Sequence, residues 1–183
     1  MQTITTDSLA TWNYEELNYI ETKLLQCVSK NPGIRYRELL RLSNLSNGVL
    51  TYHLALLEKS CRIKVDRNEN KKITRYYPNN ISLEETNIIG CIRQDAARQI
   101  ISFILENDLC TFDEIVGHAK KAPSTISWHL KRLKEAGIVS IQQGHCHLYH
   151  VTDREMVSEV LYKYKQSFID KVVDNYTKII EDL

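Results

Sequence analysis

Ala122–Val139 reads APSTISWHLKRLKEAGIV. Ile126, Leu130 and Leu133 fall at i, i+4 and i+7, so one face of a helix is apolar and turns to a core. Ser124, Thr125, Ser127, Trp128, Lys131, Arg132 and Lys134 fall on the other faces, short polar side chains first and basic ones behind. Gly137 stops the helix, and Ile138-Val139 begins a strand. A helix with a polar tip and basic flanks, followed by a hairpin, has the form needed to enter a DNA major groove.

The same pattern occurs earlier. A shift of 76 residues lays residues 34–63 on 110–139 without a gap. Glu38 falls on Glu114, Leu39 on Ile115, Leu50 on Ile126 and Tyr52 on Trp128. His53 falls on His129, Leu54 on Leu130 and Leu57 on Leu133. Upstream, Leu24, Leu25 and Val28 meet Ile100, Ile101 and Ile104. Matched apolar positions and matched helix breaks predict two copies of one unit, three helices followed by a β-hairpin.

The run T-I-S-x-H-L-K-x-L-x-x-A-G-I-V resembles the recognition helix and first wing strand of ArsR/MarR-type winged-helix transcription regulators. The phrase N-P-G-I-R-Y-R-E-L-L…S-N-G-V-L-T-Y-H-L-x-x-L-E, over Asn31–Glu58, resembles archaeal regulators that carry two winged helices in one chain. Together the resemblance covers residues 15–152. It implies a mainly α protein with small β-hairpins, made of two winged helix-turn-helix units plus a long C-terminal helix. It also implies binding to double-stranded DNA in transcription regulation.

The expected boundaries are 12–80 for the first winged unit, 81–152 for the second, and 153–183 for a C-terminal amphipathic helix. In the first unit a helix over Trp12–Ser29 ends at Asn31-Pro32-Gly33. Helices over Tyr36–Leu42 and Asn47–Lys59 follow, then strands over Ile63–Asp66 and Ile73–Tyr77. Ser82 caps a linker helix with Glu85 three residues on, and helix continues to Asn107 with a break expected near Gly90. Strands Val139–Ile141 and Leu148–Val151 form the second hairpin. From Asp153 to Leu183 there is no Pro or Gly, and Val157, Leu161, Tyr164, Phe168, Val172, Tyr176, Ile179 and Leu183 recur at helical steps. That stripe is wider than one small unit buries, and predicts packing on the linker helix or, preferably, a homodimer.

Composition constrains function from another side. Hydrophobic residues make up 43% and charged residues 26%, as in an ordinary globular protein, and the net charge is only +1. The net charge is +4 over residues 1–80 and −3 over residues 81–183, so positive charge is local, which suits a defined binding face rather than a coat on DNA. No apolar run is long enough for a membrane span and no signal peptide is visible at the start. Cys27, Cys61, Cys91, Cys110 and Cys146 are odd in number, scattered and without a C-x-x-C pair, as in a cytoplasmic protein with reduced thiols.

In a winged helix the third helix reads bases and the hairpin holds the backbone. The candidate DNA contacts in the first unit are therefore Ser46, Asn47, Thr51, Tyr52 and His53, with Arg62, Lys64, Arg67, Lys71, Lys72 and Arg75 on a basic wing. In the second unit they are Ser124, Thr125, Ser127, Trp128, His129, Lys131 and Arg132. His53 and His129 stand beside the apolar stripe, where either a phosphate contact or a half-buried ring bonded to a neighbouring helix is open. The second wing is neutral, with Gln142, Gln143, His145 and His147. His145, Cys146, His147 and His150 invite a metal, but alternation along a strand would turn His145 and His147 away from Cys146, and no metal or other cofactor is expected. No Gly-rich phosphate loop, H-E-x-x-H or G-x-S-x-G motif is present, so no enzyme is expected. The competing readings are a protein-interaction scaffold in transcription machinery and a metal- or redox-responsive repressor.

Overall fold

The computed structural model describes residues 14–68, 73–144 and 146–165. They form two compact units. The first gathers residues up to Ser29 together with Ile34–Asn79, and the second gathers Lys30–Gly33 with the chain from Asn80 onward.

The first unit contains α1 (Tyr14–Lys30), β1 (Ile34–Arg35), α2 (Tyr36–Ser43), α3 (Asn47–Lys59), β2 (Ile63–Asn68) and β3 (Ile73–Pro78). Ile20, Leu24 and Val28 of α1 pack with Leu39 of α2 and with Leu50, Leu54 and Leu57 of α3. Each such side chain, fully withdrawn from water, contributes about 1.5–3 kcal/mol, which is what holds three short helices together. β3 lies between β1 and β2 in an antiparallel sheet, with Ile34 opposite Tyr76 and Val65 opposite Tyr76 from the other side.

The second unit contains α4 (Leu83–Ile92), α5 (Asp95–Asn107), α6 (Phe112–Ala119), α7 (Pro123–Glu135), β4 (Val139–Gln142), β5 (Leu148–Val151) and α8 (Arg154–Lys163). Its core holds Ile100, Ile101 and Ile104 of α5, Ile115 of α6, and Ile126, Leu130 and Leu133 of α7. The repeat extends to the backbone. Asn44 and Lys120, 76 residues apart, both take the left-handed conformation between the second and third helices. Cys61 and Gly137 do so after the third helix, where the amides of Arg62 and Ile138 donate to Leu57 and Leu133 carbonyls, each at 2.9 Å. The third strand of the first sheet shrinks in the second unit to one bridge, Cys110 opposite Tyr149.

The structure departs from two expectations and adds the place of α8. The two-residue strand β1 was absent from the sequence reading, because so short a piece is defined only by its partner β3. The linker breaks at Arg93-Gln94 and not near Gly90, which stays helical within α4. At that break Gln94 is extended, and the Arg98 guanidinium donates to the Ile92 carbonyl at 2.8 Å, serving an α4 carbonyl left without a helical donor. Finally, α8 belongs to the second unit. Val157, Val160 and Tyr164 are buried there, and Glu85 of α4 accepts from Lys163 Nζ at 2.8 Å and from Tyr164 Oη at 2.7 Å. Residues 166–183, with the rest of the proposed stripe, lie outside the described residues.

The thiols separate by exposure. Cys91 and Cys110 are buried, Cys27 is half-buried, and Cys61 and Cys146 are exposed. Burial, aided by Glu114 and Asp108, raises the Cys110 pKa. No helix among the described residues is long and apolar enough to cross a membrane.

Candidate nucleic-acid interface

Helix α3 starts from Ser46, whose hydroxyl accepts the Val49 amide at 3.4 Å. Its inward face buries Leu50, Leu54 and Leu57, and its outward face exposes Asn47, Thr51 and Tyr52. These outward groups are partly committed to the fold. Tyr36 of α2 donates to Asn47 Oδ1 at 2.6 Å and lies 2.9 Å from Thr51 Oγ1, and Thr51 also bonds back to the Asn47 carbonyl at 2.9 Å. The Thr51 proton is thereby taken up within the protein, leaving the oxygen only acceptor capacity toward a base. Tyr36 escaped the sequence reading because nothing in the local pattern shows that α2 presents it to α3.

His53 is buried, and its Nδ1 finds no hydrogen-bond partner among the described residues. Burial lowers its pKa, against the pull of Glu21. His129, at the matched position, is also buried, and burial together with Arg132 lowers its pKa. Each ring sits edge-on to the preceding aromatic, Tyr52 at 5.3 Å and Trp128 at 4.8 Å between centroids. Of the two readings open from the sequence, burial favours the second: the repeated S/T-x-H-L position turns toward the core, and the exposed aromatic beside it takes the surface.

The basic wing is smaller than its sequence suggests. Arg75 is buried on the central strand β3, where removal from water lowers its pKa, so it is no surface cation. Its place in the sheet explains this, since β3 is covered on both edges. Arg62 pairs with Glu21, and Arg67 makes a two-pronged pair with Glu58 of α3. The hydrogen bonds from Arg67 lower the Glu58 pKa. Such exposed pairs contribute about 0–1 kcal/mol, yet in each the carboxylate offsets the charge that the arginine offers a phosphate. Lys64 is exposed, while Lys71 and Lys72 lie outside the described residues.

Helix α7 begins with Pro123 in its first turn, where a missing amide proton costs nothing. Ser124, Thr125, Ser127 and Trp128 are exposed, and Phe112 stands where the first unit has Tyr36. No α6 hydroxyl stands at that position, and among the described residues the Ser127 hydroxyl has no hydrogen-bond partner. Lys131 is exposed, 4.0 Å from Glu135, and the Arg132 guanidinium lies 4.7 Å above the Trp128 ring. Lys120 and Lys121, absent from the sequence candidates, are exposed in the turn leading into α7.

In the second hairpin β4 pairs with β5 from Val139–Val151 to Gln142–Leu148, so Gln143, Gly144, Cys146 and His147 lie outside the strands. The expectation of strand alternation at Cys146 and His147 is thus replaced by loop geometry. Both are exposed, His150 is half-buried on β5, and His145 lies outside the described residues. Among the described residues, no three His, Cys, Asp or Glu side chains converge as metal donors.

Two family matches coincide with the two helix-turn-helix segments. Residues 17–60 match the winged helix-turn-helix DNA-binding family, and residues 95–140 match the bacterial regulatory protein arsR family. An uncharacterized HTH-type transcriptional regulator of Methanocaldococcus jannaschii is 26% identical over 138 residues, 75% of this chain. The chain spans about a third (34%) of that relative's length. The transcriptional repressor BigR from Xylella fastidiosa superposes with a TM-score of 0.40 at 20% identity, over 44% of this chain and 84% of BigR. Ligand-free NadR does so with a TM-score of 0.37 at 18% identity, over 54% and 80%. With a helix-turn-helix match in each unit and each unit folded as helices closed by a hairpin, the chain is a tandem winged helix-turn-helix protein, its second unit similar to the arsR family.

Proposed function

We propose that this chain is a sequence-specific double-stranded DNA-binding transcription regulator that uses α3 and α7 as recognition helices. One observation carries this reading: both helices bury a full apolar face while exposing short polar side chains and one aromatic, Tyr52 or Trp128, at the same position. Hydroxyls and amides of that length reach base edges in a major groove, and an aromatic packs on sugar or a thymine methyl group. Lys64, Lys71 and Lys72 of the first wing and Lys131 and Arg132 of α7 supply phosphate contacts. The test is titration with random-sequence duplex at several salt concentrations, followed by selection from a random pool. Affinity that falls with salt and an enriched motif are expected. Undetectable binding at low salt, or binding indifferent to salt, overturns the reading.

A scaffold role draws support from the first unit, where Leu42 and Tyr52 are 43% and 55% exposed on its helix-turn-helix. The same titration separates the two roles. The dimer is also part of the proposal, held through the C-terminal helix: α8 spends Val157, Val160 and Tyr164 inside its own unit, and the sequence continues the apolar stripe from Phe168 to Leu183. Sedimentation at several concentrations tests it, and a monomer throughout removes it.

A further inference from the structure

The two units carry their cations in opposite places. From Lys120 to Lys134 the chain has Lys120, Lys121, Lys131, Arg132 and Lys134 and no carboxylate. Over the matched span Asn44–Glu58 it has no lysine or arginine, and Glu58 is a carboxylate. The hairpins reverse this order, because the first holds Lys64, Arg67, Lys71 and Lys72 and the second only Gln142, Gln143 and histidines between its strands. Resting on the DNA-binding reading above, we infer that the second unit is the principal reader, and that Lys120, Lys121, Lys131 and Lys134 grip the phosphates on the two sides of the groove that α7 enters.

Three observations support this division. All four lysines are exposed, and they sit at the two ends of α7 with Ser124, Thr125, Ser127 and Trp128 between them. From Pro123 to Lys134 is about 17 Å along α7 at 1.5 Å per residue, with Lys120 and Lys121 just ahead of it, enough to span a groove about 12 Å wide. Polar groups thus face the bases while cations meet the strands on either side. The hydroxyls differ as well. Thr51 is tied to Tyr36 and Asn47, whereas Ser127, opposite Phe112, has no such partner. Lys120, moreover, holds a left-handed backbone at φ 49°, a conformation that its twin Asn44 adopts at φ 55° with less steric penalty. A lysine there works against the backbone, and its charge supplies a reason for its presence.

The experiment compares three full-length proteins on random-sequence duplex: the parent, the variant K120Q/K121Q/K131Q/K134Q, and the wing variant K64Q/K71Q/K72Q. The four-lysine variant is expected to flatten the log–log salt dependence by about 3–4, at about 0.9 per lost phosphate contact. The four corresponding Lys→Arg changes should restore it, which separates lost charge from misfolding. S127A should then shift the selected motif more than T51A does. An unchanged slope in the four-lysine variant, with the wing variant accounting for the loss, overturns the division. If the parent itself shows no salt-dependent binding, the DNA reading fails first, before any variant is compared.

Discussion

Acid should weaken the second unit, and His129 should be one reason. Its ring is buried against Trp128, and both burial and Arg132 hold its pKa below the ordinary imidazole value. In the unfolded chain the same ring titrates near about 6.5. The folded unit therefore binds fewer protons than the unfolded chain once the pH drops through that value. The stability it gains from a neutral His129 is fully present above the unfolded pKa and is lost as pH falls toward the lower folded one. The loss reaches at most about 1.4 kcal/mol one pH unit below the unfolded value. In the first unit burial lowers the His53 pKa as well, with Glu21 opposing it. Trp128 reports the second unit directly once Trp12 is replaced by phenylalanine. Urea unfolding followed by its fluorescence at pH 7.5 and 5.5 gives the stability difference between the two. H129Q should shrink that difference, by no more than about 1.4 kcal/mol, whatever it does to stability at pH 7.5, and R132A should shrink it in part. An equal difference in parent and H129Q would refute the reasoning.

Two other substitutions probe contacts seen only in the folded chain. Y36F removes the donor to Asn47 Oδ1 and the partner of Thr51, and should lower the urea stability of the first unit by about 0.5–1.5 kcal/mol in a far-UV circular dichroism titration; no change would mean that Asn47 and Thr51 find equal partners in water. At Glu85 burial favours the protonated acid, but hydrogen bonds from Lys163 and Tyr164 outweigh it and lower the pKa. E85A should therefore loosen the end of α8 and cost about 1 kcal/mol, after allowance for the exposure of Lys163; faster amide exchange confined to the last turn of α8 is the sign to look for, and unchanged exchange would rule the contact unimportant.

Much of the fold was legible because it is periodic. The bounds of α3, Asn47–Lys59, follow from a capping serine, three leucines at helical steps and a turn, and the structure has the same bounds. The second copy supplied a check that no single unit offers. What stayed hidden depends on contacts between elements. Nothing in ITRYYP shows that its strand takes the centre of a sheet, so the burial of Arg75 was invisible. The histidines were ambiguous for a related reason: at the edge of an apolar stripe a ring can face either way, and only the packing of the neighbouring helices decides. Wing charge was overread because Glu21 and Glu58, far along the chain from Arg62 and near Arg67 only in space, neutralise both arginines.

The spread of thiols gives the chain a pair of natural attachment points. Cys61 lies just ahead of β2 and Cys146 in the loop between β4 and β5, so each unit offers one accessible sulfur beside its wing, while Cys91 and Cys110 are shielded. A donor and an acceptor dye coupled through maleimides to these two positions, with Cys27 replaced by serine, turn wing-to-wing separation into an energy-transfer efficiency. Read with and without duplex, that efficiency registers whether DNA draws the two halves into one fixed arrangement.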